Sequence, residues 1–187
     1  VVGAISVETD PVRLVERLRS DNPFLHPSTV MRRGAVEAAG GYRRPFALAE
    51  DYDLWIRMAS QGVIANLPDP LIRLRRHAGQ SSRVHRQAQR AVHALVRLLA
   101  FGPPVAAEAV AVAASSRDAV AAYVRALAEA GASLSRHDRR DVERMLRWYL
   151  PQGTTNRNER KAIAALLRRG APSPSSLLLS LRLLVKP

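Results

Sequence analysis

Cysteine is absent from this chain of 187 residues, so neither a disulfide framework nor a thiolate metal site can hold it together. A reducing cytoplasm is compatible with that absence. Long apolar runs are also missing. No stretch reaches the length of a membrane span, and the opening Val-Val-Gly-Ala-Ile-Ser-Val is too short and uncharged for a secretory signal before Glu8 and Asp10. Aromatic residues make up only 5 % of the chain, which leaves little material for stacking on nucleic-acid bases. The chain lacks an initiating methionine and begins in a pattern that reads as an interior strand, so an amino-terminal part is expected to precede it.

What the chain does have is length for a core and an uneven charge. Nearly half of its residues are apolar, which excludes a disordered polyelectrolyte. Residues 1 to 82 hold 11 arginines and 9 acids, a surplus of +2, whereas residues 83 to 187 hold 18 lysines or arginines and 7 acids, a surplus of +11. The basic surplus therefore belongs to the tail. Such a surplus attracts anionic partners and says little about fold.

The first 82 residues read as mixed α and β. Val1 to Val7, Thr29 to Met31, Val63 to Leu67 and Leu71 to His77 have strand-like composition, and period-two geometry puts Arg73, Arg75 and His77 on one face of the last. Asp10-Pro11 opens a helix, Arg33 to Ala39 makes about two turns ended by Gly40-Gly41, and a third helix runs from Glu50 to Ser60. Beyond Ser82 the pattern is helical. Candidates run from Arg83 to Ala100, from a Ser116 cap to Ala130, after the Ser135/Asp138 capping box, after Asn156, and over the leucine-rich run from Leu177 to Val185.

One stretch looks built for chemistry. Ala49-Glu-Asp-Tyr-Asp-Leu-Trp55 places three carboxylates at the start of an amphipathic helix, where exposed backbone N–H groups and the macrodipole keep them ionised. An ionised carboxylate can act as a general base, although the same residues also suit plain helix capping.

Five motifs in order, Asn22-Pro-x-x-His26-Pro-Ser28, Gly40-Gly-Tyr42, Glu50-Asp-Tyr-Asp53, Asn66-Leu-Pro68 and Arg75-x-His77-x-Gly79-Gln80-x-Ser82, resemble family-two glycosyltransferases over about residues 1 to 82. The resemblance implies an α/β fold: the acceptor-side part of a GT-A domain without its amino-terminal nucleotide-binding half, followed by an all-α basic region over 83 to 187. It also implies transfer of a sugar, with inversion, from a nucleotide-diphosphate-sugar donor to an acceptor hydroxyl on a lipid-linked or polysaccharide acceptor. Asp51 then becomes the catalytic base, with Glu50 orienting it or binding an acceptor hydroxyl. Asp53 is assigned to the helix start or an ion pair.

By the same resemblance, His77 approaches a divalent metal, Mg or Mn, beside the diphosphate, with Arg75 as a phosphate partner. The bland alternatives stay open. His77 also suits a surface role, and His26, between two prolines, can shape the substrate cleft or only bond to backbone. Trp55 can stack on a sugar but falls near Ile56 and Ala59 on the wheel, as a core residue would. Gly40 and Gly41 admit a sugar close to the backbone or merely end a helix. With only 49 residues ahead of Glu50, a donor-binding half does not fit, and the chain alone is expected to be inactive. The competing reading is a non-catalytic basic helical module binding an anionic membrane surface, nucleic acid or a protein partner, and a third is a purely structural or partner-binding fragment whose acidic helix is a remnant. For the basic module an anionic membrane surface is favoured over nucleic acid, since Arg182 and Lys186 sit in the leucine-rich segment and no nucleic-acid signature is present. The expected location is the cytoplasm, with the inner face of the cell membrane as the site of any peripheral contact.

Overall fold

The computed structural model describes residues 7–75, 77–104, 115–152, 157–169 and 179. Eight helices carry the described fold: α1 (Pro11–Leu18), α2 (Arg33–Ala38), α3 (Glu50–Ala59), the short α4 (Ser81–Val84), α5 (Arg86–Phe101), α6 (Ser116–Glu129), α7 (Arg136–Tyr149) and α8 (Arg157–Arg168). Short 3₁₀ turns at His26–Ser28, Arg44–Phe46 and Leu150–Gln152 fill the corners.

Local chemistry explains most of the boundaries. The Asp10 carboxylate accepts from the backbone N–H groups of Val12 and Arg13, and Pro11 at the first helical position has no N–H to satisfy, so α1 starts there. Ser135 caps α7 by accepting from the Asp138 N–H at 3.1 Å. For α6 the capping residue is Ser115, one position earlier than the sequence pattern suggests; Ser116 instead donates its hydroxyl to the Ala47 carbonyl at 2.9 Å. Helix α2 ends in a Schellman arrangement, with Gly40 N–H donating to Glu37 O and Gly41 N–H to Val36 O, both at 2.9 Å. Both glycines are left-handed, at φ 78° and 62°.

One hydrophobic cluster runs through the described helices. Leu95 and Leu98 of α5 pack with Val142, Met145 and Leu146 of α7, Val124 and Leu127 of α6, and Leu166 and Leu167 of α8. The same cluster takes in Leu18, Phe46, Tyr52, Leu54 and Trp55, so the acidic helix α3 is seated directly on α5. Tyr52 pins three elements at once: its hydroxyl donates to the Leu18 carbonyl at 2.5 Å and its ring stacks on His93 of α5, with centroids 5.1 Å apart.

The expected α/β architecture, a partial GT-A domain, is overturned. Among the described residues there is no strand and no sheet; every regular element is helical. Residues 63 to 67 and 71 to 75 lack regular structure, and the Thr29 region follows a 3₁₀ turn. The physical reason is pairing. A strand needs the backbone of a neighbour to take its N–H and C=O groups, and among the described residues no backbone bond reaches 63 to 67 or 71 to 75; the Glu8 segment meets this stretch only through the Asn66 side chain. Several of their apolar side chains stand in solvent, with Val30 99 % and Val63 86 % exposed, while Met31 and Ile64 pack against the core. The expected strand over residues 1 to 7 lies almost wholly outside the described residues, as does the leucine-rich run from 177 to 185.

Candidate functional site

The three carboxylates at the start of α3 have different surroundings. No side chain of Ala49 caps the helix, so the first-turn N–H groups face Glu50, Asp51 and Asp53. Asp53 is 4 % exposed and fully engaged: Arg43 grips both of its oxygens and Arg57 bonds Oδ2 at 2.6 Å. It is a buried ion-pair residue. Asp51 meets no such cation among the described residues. Its Oδ2 accepts from the Asn22 amide at 3.0 Å and its Oδ1 from the Tyr52 N–H at 2.8 Å. Asn22 is itself fixed, because its Oδ1 accepts from the Phe24 N–H at 3.1 Å. Two neutral donors thus orient Asp51 without neutralising it. Beside it, Glu50 Oε2 is buried with no hydrogen-bond partner among the described residues.

The segment from Asn22 to Ser28 brings His26 to the same place. Its Nε2 is 2.9 Å from the Tyr42 hydroxyl, and its ring meets the Trp55 indole edge-on at 5.8 Å. Phe24 covers Trp55 from another side at 6.0 Å. The indole is 4 % exposed, which puts it in the core position, although its Nε1 has no partner among the described residues. Burial, followed by the charges of Asp51 and Glu50, raises the Tyr42 phenol above its ordinary value, so its hydroxyl stays protonated.

The approach to α3 is strained. Leu48, two residues before Glu50, has φ 81°, a left-handed backbone that a branched side chain rarely adopts. The Arg44–Phe46 turn and Ala47 are held against the N-terminal end of α6, partly through Ser116, so the tail buttresses the loop that delivers Glu50 and Asp51. Strain of this kind persists where the surroundings over-determine it.

His93 belongs to this neighbourhood, a placement missed in the sequence. Burial lowers its pKa from the ordinary 6.5, while Asp51, Asp21 and Glu50 push the other way. Its only sequence signal is that it sits in the apolar stripe between Val92 and Leu95. Arg75 and His77, by contrast, are exposed in the irregular stretch after Pro70, and the structure does not bring them to Asp51. Among the described residues no three side chains converge as a metal-binding set. Gly40 and Gly41 do adjoin the site, as the turn that delivers Tyr42. A groove of about 650 Å³ lies on the face of α3 turned away from Asp51, lined by Val15, Phe46, Ile56, Arg57 and Phe101.

Comparison with known proteins now bears on this geometry. The chain is 45 % identical over 58 residues to the amylovoran biosynthesis glycosyltransferase AmsE of Erwinia amylovora, a match covering 30 % of this chain and 21 % of that protein. It is 36 % identical over 84 residues to an uncharacterized glycosyltransferase of Haemophilus influenzae, covering 44 % of this chain and 30 % of that one. The chain is similar to glycosyltransferases. It spans less than a third of the length of either relative, and the likeness supports glycosyl transfer in general. No family model matches the chain, and no solved structure matches it.

Proposed function

We propose that this chain carries the acceptor-activating part of an inverting, family-two-like glycosyltransferase of hexosyltransferase type, with Asp51 as general base. The observation that carries the reading is the state of Asp51: held in one orientation by Asn22 and the Tyr52 N–H, and paired with no arginine among the described residues. In the reaction an acceptor hydroxyl loses its proton to Asp51 as its oxygen bonds the anomeric carbon. The nucleoside diphosphate leaves with the electrons of the broken bond. Glu50, one of whose oxygens is buried without a partner among the described residues, orients Asp51 or binds an acceptor hydroxyl through its other oxygen. The acceptor is a lipid-linked or polysaccharide hydroxyl.

A divalent cation, Mg or Mn, is the expected partner of the departing diphosphate, but the described residues do not fit it. His77 is exposed and no carboxylate set converges beside it, so no step is assigned to a metal here. Arg75 likewise stays an exposed cation without a place in the step.

The test reads the coding sequence on both sides of this chain. The longest in-frame polypeptide is expressed beside its Asp51→Asn variant, and nucleotide-sugar consumption is followed with and without acceptor. A loss of about 10²- to 10⁴-fold in kcat, with an unchanged unfolding midpoint, is the expected result. Retained activity refutes Asp51 as the base. The 187-residue chain alone is expected to be inactive, and robust transfer by it refutes that part.

A second reading draws on the surplus of +11 after residue 82: a basic helical face that contacts an anionic membrane from the cytoplasmic side. Among the described residues no helix is long and apolar enough to cross a membrane, so such contact would be peripheral. Sedimentation with vesicles containing phosphatidylglycerol, against vesicles of phosphatidylcholine alone, decides it. Equal recovery with both removes this reading.

A further inference from the structure

The aromatic ring that the sequence offers for stacking on a sugar is Trp55, and the structure covers it with Phe24 and His26. The exposed ring of this neighbourhood is a different one, reached through His26, which meets Trp55 one helical turn after Asp51 on α3. Tyr42 is 47 % exposed, and its hydroxyl meets His26 Nε2 at 2.9 Å.

Its mounting is unusually firm for a loop residue. The two left-handed glycines before it close α2 and turn the chain back toward α3. Arg57 of α3 donates to the carbonyls of Ala39 and Gly41, while the same guanidinium bonds Asp53. Arg43, the residue after Tyr42, grips Asp53 as well. The chain on both sides of Tyr42 is thereby tied to one buried carboxylate of the helix that carries Glu50 and Asp51. At the far end of the side chain, His26 stops the ring from swinging. A ring fixed in this way loses little conformational freedom when a ligand settles on it.

The chemistry that matches an open aromatic face beside carboxylates is that of a pyranose. Its axial C–H groups present an apolar face, and its hydroxyls, projecting at the edge, donate to carboxylate oxygens. We infer that Tyr42 is the stacking platform for the saccharide ring of the acceptor, with His26 holding the platform, so that the ring's hydroxyls face Glu50 and Asp51. The inference rests on the reading of Asp51 as base and adds the residue that receives the acceptor's saccharide ring.

The test uses the chain itself with ring-¹³C-labelled tyrosine, titrated with the methyl glycosides of glucose, galactose and mannose. At least one glycoside is expected to shift the Tyr42 ring signals. Tyr42→Leu, which keeps bulk but removes the ring face, should weaken that binding by about tenfold, whereas Tyr42→Phe stays within about threefold. Far-UV circular dichroism confirms that each variant is folded, and Tyr42→Phe, isosteric apart from the hydroxyl, serves where Tyr42→Leu is not. Glycosides that shift no Tyr42 signal, or that bind Tyr42→Leu as tightly as the unaltered chain, overturn the inference. Asp51→Asn in the transfer assay fails or succeeds independently of this binding, so the two readings part.

Discussion

Among the described helices that open with an acidic first turn, α3 and α7 place carboxylates in opposite surroundings. In α7, Asp138 and Asp141 are saturated. Arg97, reaching across from α5, bonds Asp138 at 2.7 Å and also holds Asp141, which takes Arg144 at 2.8 Å on its other oxygen. Ser135 adds its hydroxyl to Asp138 at 2.6 Å. In α3, among the described residues, Asp51 meets only neutral donors and the buried Glu50 Oε2 meets none. An acidic first turn is therefore not a chemical signal in itself. What separates a structural carboxylate from an available one is whether a cation from another element closes on it, and that is decided by tertiary packing.

The sharpest way to break this comparison is to remove the cation. Arg97 is 7 % exposed, and Arg97→Leu leaves Asp138 and Asp141 charged in the bundle interior. A loss of about 3–5 kcal/mol in urea unfolding is expected, because an uncompensated buried charge costs more than the pair contributes. Asp51→Asn should cost less than about 1 kcal/mol, since one of the two donors keeps the amide oxygen and the other re-pairs with water. If the two variants lose stability equally, the carboxylate of α3 is structural and the contrast collapses.

The same contrast holds for apolar residues. Leu95 is fully buried between α5 and α7, and Leu95→Ala is expected to cost about 2–5 kcal/mol. Leu71, in the irregular stretch, is 69 % exposed, and Leu71→Ala should stay within about 0.5 kcal/mol. A large loss at Leu71 would show that the stretch from Val63 to Leu74 is covered in solution, by another copy or a partner.

Gly40→Ala tests the mounting of Tyr42. An alanine at φ 78° is strained whatever the space, so about 1 kcal/mol should be lost. Leu48→Gly runs the other way, because it relieves a left-handed leucine at φ 81° and should be neutral or raise the unfolding midpoint. A stability gain at Leu48 accompanied by weaker glycoside binding would place that strain in the service of the site.

The helices were legible because their signals are local. Asp10-Pro11, the Ser135/Asp138 pair, Gly40-Gly41 and the stop at Gly62 each act within a few residues of themselves. The strands were misread for the complementary reason. Val63 to Leu67 and Leu71 to His77 carry the residue types that fill a pleated sheet, but a strand exists only with a partner, and partnership is not written in the segment. The gathering of Asn22, His26, Glu50 and Asp51 in one place was reachable through the family resemblance. The closure of Arg43 and Arg57 on Asp53, the covering of Trp55 and the arrival of His93 from α5 were not, since they join residues up to 72 positions apart through packing that no local pattern records.

His93 offers the smallest effect and the most selective one. Its folded pKa lies below the ordinary 6.5, through burial and against the pull of Asp51, Asp21 and Glu50, so the unfolded chain binds its proton more readily than the folded one. Stability must then fall as pH drops below about 6.5 and level off once the folded form is protonated too. For Asp138 burial works to raise the pKa, but the hydrogen bonds from Arg97 and Ser135 and the Arg97 charge outweigh it, and the net shift is below 3.8. The stability this carboxylate contributes is present above that value and is lost only as pH falls through its still lower folded pKa. The carboxylate site should therefore weaken at mildly acidic pH while the ion cluster of α5 and α7 holds. Unfolding midpoints measured from pH 7.5 to 5 should show a decline that His93→Gln flattens and Asp138→Asn leaves in place. If His93→Gln leaves the slope unchanged, α5 does not couple protonation to the site, and His93 is a packing residue of the Tyr52 stack alone.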